Sequence, residues 1–234
     1  MKEKCSTFDM PQYAKISSIF KRDNTTNKLI QGDYASDLIS LLRDIEWTAT
    51  EKLDGTNVRI GFDGLNSHIR GRTDNAVFHP GLLFYLKDKF QTPEALSLLK
   101  SKFTPEVYDT QNKLMNEADV VMYGEGIGAK IQADGGLYGP IQFVLFDVKI
   151  NGRFVKRETV EVIAAFLGVQ SAPVVIKGHI SRIAEYVTLG PLSTIALHPK
   201  QLEGVVIRPD IEVFDVYGNR AIFKLKCRDF IKVS

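Results

Sequence analysis

Apolar residues return at every second position on both sides of a short polar stretch near residue 50. Ile45, Trp47 and Ala49 precede it; Val58, Ile60 and Phe62 follow, closing on an Asp63-Gly64 turn. That alternation predicts strand, turn, strand, with Lys52 in the polar turn Thr50–Asn57. Further strands are expected at Val120–Gly126, Ile141–Val148 and Leu202–Pro209, and over Ala221–Cys227, where Phe223, Leu225 and Cys227 share one face and Lys224 and Lys226 the other. Apolar positions recur at helical spacing over Ser36–Arg43, Gly81–Phe90, Pro93–Lys100, Glu106–Ala118, Lys156–Leu167 and His179–Thr188, with Gly168 placed as a helix-ending C′ residue. A polar loop is expected at Lys21–Lys28. Strands returning between helices give an α+β fold with a mainly antiparallel sheet and helices outside, without internal repeat or low-complexity linker.

Composition narrows the class without choosing a function. A chain of 234 residues with 44% hydrophobic content can bury one sizeable core, so residues 1–234 are expected to form a single domain. A net charge of +2 does not advertise nucleic acid, although clustered lysines and arginines could still line a positive cleft. Cys5 and Cys227 are read as free thiols of a reducing compartment. His68, His79, His179 and His198 lack metal-ligand spacing. No membrane-spanning run or signal peptide is legible, so a cytoplasmic protein is expected, or one of the host-cell cytoplasm if the source is viral.

The chemistry-bearing positions lie at strand ends. A lysine delivered by a strand into a glycine-containing turn can sit partly desolvated among other cations, which favours its neutral, nucleophilic form. Glu125 stands between glycines at the end of one apolar run, Asp147 ends another, and Glu203 opens a third. Lys224 and Lys226, adjacent on one strand face, suit a polyphosphate. Each has a plainer reading: a surface lysine in a turn, an amphipathic strand with a solvated face, and, for Phe143 and Phe146, core aromatics. Gly124-x-Gly126-x-Gly128 lacks the strand-then-helix context of a dinucleotide loop. The Gly-rich stretch 129–139 is open between lid, RNA contact and surface loop, and the basic cluster Arg153, Lys156 and Arg157 between RNA contact and solvated face.

In order and spacing these segments resemble the nucleotidyltransferase motifs of covalent polynucleotide ligases and mRNA-capping enzymes, and are most similar to RNA ligases of the RNA ligase 2 type. The resemblance runs from about Trp47 to Arg228. It is carried by Glu51-Lys52-Leu53-Asp54-Gly55-Thr56-Asn57, by Arg70-Gly71-Arg72-Thr73 where these ligases place a strand-borne arginine, and by the segments around Glu125, Asp147, Glu203 and Lys224–Lys226. Asn57 stands where DNA ligases and capping enzymes usually carry arginine. Only Arg228–Ser234 follow the two-lysine strand, where those enzymes continue into an OB-fold domain. No such C-terminal OB domain is expected within this chain, which is either a bare catalytic domain or a truncated piece.

The resemblance implies an ATP-grasp-like, two-sheet nucleotide cleft and a role for each matched residue. Lys52 would attack the α-phosphate of ATP and form lysyl-AMP, with Lys226 on the α-phosphate and Lys224 assisting. Arg72 would bind phosphate or ribose, and Glu125 the ribose hydroxyls. Glu203, helped by Asp54, would hold Mg²⁺, for which Mn²⁺ could substitute. Phe143 would stack on adenine. Glu51 would accept from the adenine amino group or present its backbone to the ring, and Asn57 would hold the 5′-phosphate side of adenylylated RNA.

The expected function is therefore an ATP-dependent RNA ligase that joins a 3′-hydroxyl to a 5′-phosphate end in RNA repair. A separate RNA-binding or end-healing partner is expected, and no membrane. The nearest rival is a small ATP-dependent DNA ligase. A GTP-using capping enzyme and a non-catalytic nucleotide- or RNA-binding module stand further off.

Overall fold

The computed structural model describes residues 8–104 and 119–230. In chain order these form β1 (Ser17–Ser18), β2 (Phe20–Arg22), β3 (Leu29–Tyr34), α1 (Asp37–Leu41), β4 (Trp47–Glu51), β5 (Thr56–Phe62), β6 (Ser67–Gly71), α2 (Pro80–Phe90) and α3 (Pro93–Phe103). They continue with β7 (Val120–Ile127), β8 (Gln142–Ile150), β9 (Arg153–Phe154), α4 (Arg157–Leu167), β10 (Gln170–Ser171), β11 (Val174–Gly178), α5 (Ile180–Thr188), β12 (Gly204–Pro209) and β13 (Phe223–Lys226). The fold is α+β with largely antiparallel sheets, as the alternation of patterns implies. Among the described residues, no helix is long and apolar enough to cross a membrane. The described chain divides into two compact units, one of residues 8–13, 55–104, 119–136 and 140–171, the other of residues 14–54, 137–139 and 172–230.

In the first unit the sheet runs β10-β8-β7-β5-β6, with β9 on β8; only the β10–β8 pair is parallel. Its dry face holds Val58, Ile60 and Phe62 of β5, Met122 of β7, and Phe143, Leu145 and Val148 of β8. Leu82, Leu86 and Phe90 of α2 cover them, with Leu99 of α3 and Val160, Ile163, Ala164 and Leu167 of α4. Those helical positions fall three and four apart, so each helix turns one apolar stripe inward. The opposite face carries Asn57 and Arg59 of β5 and Val121, Tyr123 and Glu125 of β7. The segment Phe8–Tyr13 lies on part of it, packing Met10 and Tyr13 against Val121 and Tyr123.

The second unit holds the sheet β1-β13-β12-β4-β11 and the hairpin β2–β3. Trp47 and Ala49, the alternating residues of β4, meet Val205 and Ile207 of β12 and Leu225 of β13. Over them lies α5, with Ile180, Ile183, Ala184 and Val187 on one stripe. Trp47 donates its indole N–H to the Leu42 carbonyl at 2.9 Å, which satisfies the one polar atom of that buried ring.

Helix ends follow local chemistry. Pro80 and Pro93 open α2 and α3, where their missing N–H costs nothing, and the Thr92 hydroxyl accepts from the Ala95 amide at 3.2 Å. Gly168 ends α4 at φ 61°. The helix expected over Pro93–Lys100 runs on to Phe103, whereas Ser36–Arg43 shrinks to Asp37–Leu41. The expected helix at Glu106–Ala118 and Cys5 lie outside the described residues. Cys227 is a buried free thiol, pushed up to about 11 by burial.

Candidate active site

Strand order in the second unit assembles the lysine site. Strands β4 and β12 are antiparallel, and β12 and β13 are antiparallel, so the end of β4, the start of β12 and the end of β13 lie side by side. Lys52 follows β4, Glu203 precedes β12, and Lys226 ends β13. The main chain fixes this: the Lys52 amide donates to the Gly204 carbonyl at 2.9 Å, and the Cys227 amide donates to the Glu203 carbonyl at 3.0 Å. Gly204 is required there, because a Cβ would sit 2.1 Å from the Leu225 carbonyl oxygen.

The three side chains meet through one carboxylate. Lys52 Nζ lies 2.6 Å from Glu203 Oε2, and Lys226 Nζ lies 2.7 Å from Glu203 Oε1. Burial alone would raise the Glu203 carboxyl. The charges of Lys52 and Lys226 and their hydrogen bonds outweigh it and hold the group below the ordinary glutamate value. Lys224, two residues before Lys226 and on the same strand face, is held below the usual lysine value, first by burial and then by the charges of Lys226, Lys52 and Lys15. Lys52, Lys226 and Lys224 thus cluster about one carboxylate, with Lys15 near enough to add to the positive charge. A sheet edge so charged suits a polyphosphate anion.

Carboxylates flank Lys52 on both sides. Glu51 is buried, and its carboxylate accepts from the Ser193 hydroxyl and from the Thr194 amide and hydroxyl, both at 2.9 Å. The Glu51 carboxylate is thus engaged by loop 193–194 of the protein, so of the two roles expected for Glu51 the one that presents its backbone to the ring makes no demand on these bonds. On the other side Asp54 faces Lys200 at 3.5 Å, and the Asp54 amide donates to the Tyr138 hydroxyl at 3.3 Å. Burial, joined by the charges of Glu51, Asp54 and Glu203, pushes the Tyr138 phenol well above its usual range. The two residues expected to hold a divalent cation, Asp54 and Glu203, each face ammonium groups of the protein here. Among the described residues no group of three or more His, Cys, Asp or Glu side chains is placed to hold a metal ion.

Within the first unit the sheet brings two other expected residues together. Asn57 of β5 stands directly opposite Glu125 of β7, on the face away from the helices. The Asn57 side-chain oxygen is buried without a hydrogen-bond partner, an acceptor left open at a cost. Gly55 precedes them because a Cβ there would lie 2.3 Å from the Gly126 carbonyl oxygen. Arg72 is exposed, one residue past the end of β6 rather than on the strand. Asp147 is buried and accepts from the Tyr13 hydroxyl at 2.7 Å, which makes it an anchor for the N-terminal segment.

The adenine platform expected at Phe143 is corrected. Phe143 is wholly buried on the dry face of β8, edge-on to Phe90 with ring centroids 5.5 Å apart, and a Cβ at Gly124 would collide with its ring. No face is left for a base. The plainer expectation, that Phe143 is a core aromatic, holds; the platform role comes from the resemblance alone. Leu145 pairs with Gly124 and Asp147 with Tyr123, so Phe146 is an extra residue in the ladder and the alternation changes phase there.

Sequence reasoning missed Lys200, Tyr138, Arg59 and Lys15. Arg59 is wholly buried; its guanidinium donates to the Gly71 carbonyl at 2.7 Å, to the Met10 carbonyl, and to Asp74 at 2.8 Å. The one legible signal was an arginine at a position where β5 otherwise alternates with buried apolar residues.

An α+β protein with a lysine, a bridging carboxylate and a lysine pair abreast at three strand ends belongs to a narrow class. The chain belongs to the RNA ligase family, whose model matches residues 45–226. No curated protein sequence matches the chain. Among solved structures, the Naegleria gruberi RNA ligase with pyrophosphate is similar at 17% identity and a TM-score of 0.53, covering 92% of this chain and 61% of its own. A variant of that ligase with ATP and manganese gives 17% identity and a TM-score of 0.57, covering 93% and 57%. An archaeal ATP-dependent RNA ligase gives 18% identity and a TM-score of 0.53, covering 94% and 49%. At these identities the likeness is one of fold. The chain spans about three fifths or less of these ligases.

Proposed function

We propose that this chain is the nucleotidyltransferase of an ATP-dependent RNA ligase and that Lys52 carries AMP between ATP and an RNA 5′-phosphate. The observation that carries the reading is the carboxylate of Glu203 shared between Lys52 and Lys226, with Lys224 on the same strand face. Family membership and the fold of ligases seen with ATP and manganese support it.

In the first step the Lys52 amine, having lost its proton, attacks the α-phosphorus. An N–P bond forms, the bond to the bridging oxygen breaks, and pyrophosphate leaves. Lys226 and Lys224 supply positive charge for the α-phosphate oxygens and the leaving group, as a reaction governed by positioning and charge requires. Glu203 holds Lys52 and Lys226 in register before the nucleotide arrives. Asp54 and Glu203 would hold a divalent cation through water, and that cation supplies further neutralisation of the triphosphate.

In the second and third steps AMP passes to the 5′-phosphate of an RNA, and a 3′-hydroxyl displaces it. Glu125 suits the ribose hydroxyls, and Asn57, opposite it with an open acceptor, suits the substrate side of these steps. Arg72, exposed beyond β6, suits a phosphate. The physiological ends and any partner that grips RNA or heals its ends belong to this proposal too, as does a cytoplasmic setting.

Incubation with α-labelled ATP and Mg²⁺, after any bound AMP has been stripped with pyrophosphate, tests the reading. Label that survives denaturation on the wild type and is absent from Lys52→Ala is expected. Matched nicked RNA and DNA duplexes then separate an RNA ligase from a DNA ligase. A wild type that takes no label would overturn the ligase reading.

A further inference from the structure

One loop of the second unit grips both flanks of the turn that carries Lys52. Its near end, Ser193 and Thr194, binds the carboxylate of Glu51, one residue before the lysine. Its far end, Lys200, reaches Asp54, two residues after it, at 3.5 Å. The loop is closed on itself, because the Ser193 amide donates to the Lys200 carbonyl at 2.8 Å and the Leu202 amide to the Pro191 carbonyl at 2.9 Å.

Among the described residues Lys200 is the one buried lysine. Its side chain is only 8% exposed, and such an ammonium must be met by charge or by a polarisable face. It meets both: the Asp54 carboxylate on one side, and the Tyr138 ring with its centroid 5.3 Å away on the other. Tyr138 completes a closed figure, since its hydroxyl accepts from the Asp54 amide at 3.3 Å. The backbone of Asp54 is thus tied to Tyr138, its side chain to Lys200, and Lys200 to the ring of Tyr138. The nucleophile itself is untouched by the figure, because Lys52 Nζ is engaged by Glu203.

We propose that Lys200 is a positioning residue for nucleotidyl transfer, acting through Asp54 and Tyr138 on the turn that carries Lys52. The proposal rests on the reading of Lys52 as the nucleophile. A misplacement of about 1 Å in an attacking group can slow a reaction about a hundredfold, and the tie holds the turn that aims the amine without touching the nucleophile, so its loss is expected in rate. Lys200→Met keeps length and apolar contact and removes the charge. Tyr138→Phe keeps the ring and removes the acceptor.

The test measures lysyl-AMP formation at saturating ATP and Mg²⁺, expressed per folded molecule, for the wild type, Lys200→Met, Lys200→Arg and Tyr138→Phe. Lys200→Met is expected to be at least tenfold slower, with the ATP concentration for half-maximal rate within twofold of wild type. Lys200→Arg, which can still pair with Asp54, is expected to recover most of the rate. Loss of folded protein with an unchanged rate per folded molecule, or Lys200→Met within twofold of wild type, would overturn the proposal. Hydrogen exchange of the amides of residues 52–55 is read in parallel and does not depend on turnover. Faster exchange at Asp54 in Lys200→Met and Tyr138→Phe is expected, and unchanged exchange overturns the tie. A wild type without label strikes the ligase reading instead, and the exchange arm still decides whether Lys200 holds the turn.

Discussion

Lys52 and Glu203 are 151 positions apart in sequence, yet the ammonium and a carboxylate oxygen meet at 2.6 Å. The pair is drawn together by the register of β4 against β12. The second oxygen of Glu203 holds Lys226, so one acidic side chain keeps two ammonium groups from facing each other unshielded.

Glu203→Gln should therefore remove the shared counter-charge while keeping the shape. Lysyl-AMP formation is expected to fall at least a hundredfold. Because the Glu203 carboxyl is held low when folded, its stabilisation is present above the unfolded glutamate value of about 4.3 and is lost as pH falls through the lower folded value. Melting temperatures of wild type and Glu203→Gln should accordingly differ most near neutrality and converge in acid. A gap that widened in acid would contradict this assignment.

For Lys224 stability also rises with pH, but here the charged form carries a penalty rather than a gain. Its folded value is depressed, so carrying the proton weakens the fold, and that penalty is relieved as pH rises through the folded value toward the unfolded one near 10.4. An anion in the site should relieve it as well. Pyrophosphate at a hundred times its dissociation constant is expected to add about 2.7 kcal/mol to stability. With pyrophosphate held at that same concentration, calorimetry should show the gain shrinking with added salt, and shrinking again in a Lys224→Met, Lys226→Met double variant.

Phe143→Ala should act on folding and leave nucleotide affinity alone. Truncating a fully buried phenylalanine costs about 3–5 kcal/mol. Denaturant unfolding should show that loss, while the milder Phe143→Leu variant should keep the wild-type ATP concentration for half-maximal labelling.

Arg59→Lys keeps the charge but cannot donate to Gly71, Met10 and Asp74 together. A loss of about 1–3 kcal/mol is expected from the carbonyl acceptors left buried. Hydrogen exchange should rise at residues 72–76 and 8–13. A change confined to other segments would show that Arg59 does not hold these two.

Much of this architecture is legible in the sequence wherever the signal is local. The alternation of Trp47 and Ala49, the opposed faces of Leu225 and Lys226, and the apolar stripe of α5 each depend on a few neighbouring residues, and the structure keeps them. The strand end that delivers Lys52 is likewise written in Trp47 to Gly55. Partnership is another matter. That Glu51 serves Ser193 and Thr194, or that Lys200 reaches Asp54, depends on residues some 140 positions away, and no periodicity encodes such pairs. Short edge strands such as β10 and β11 also escape, because two to five residues give too few repeats to establish a period. Phe143 is a third case: the strand pattern reads it as core, as the structure has it, and only the role implied by the resemblance is lost.

The phase of β8 turns on the bulge at Phe146. Since Gly124 pairs with Leu145 and Tyr123 with Asp147, a β8 shorter by this one residue would run as an uninterrupted ladder, with Phe143 still inward and Asp147 still toward Tyr13. The strand thus contains a spare length of one, an insertion that the sheet has absorbed without exchanging its faces. Loss of that residue would leave the two faces of the strand as they are and remove only the Phe146 ring, packed edge-on to Tyr13 with centroids 5.1 Å apart. Loss of a paired residue away from the bulge would instead turn over the side chains beyond it.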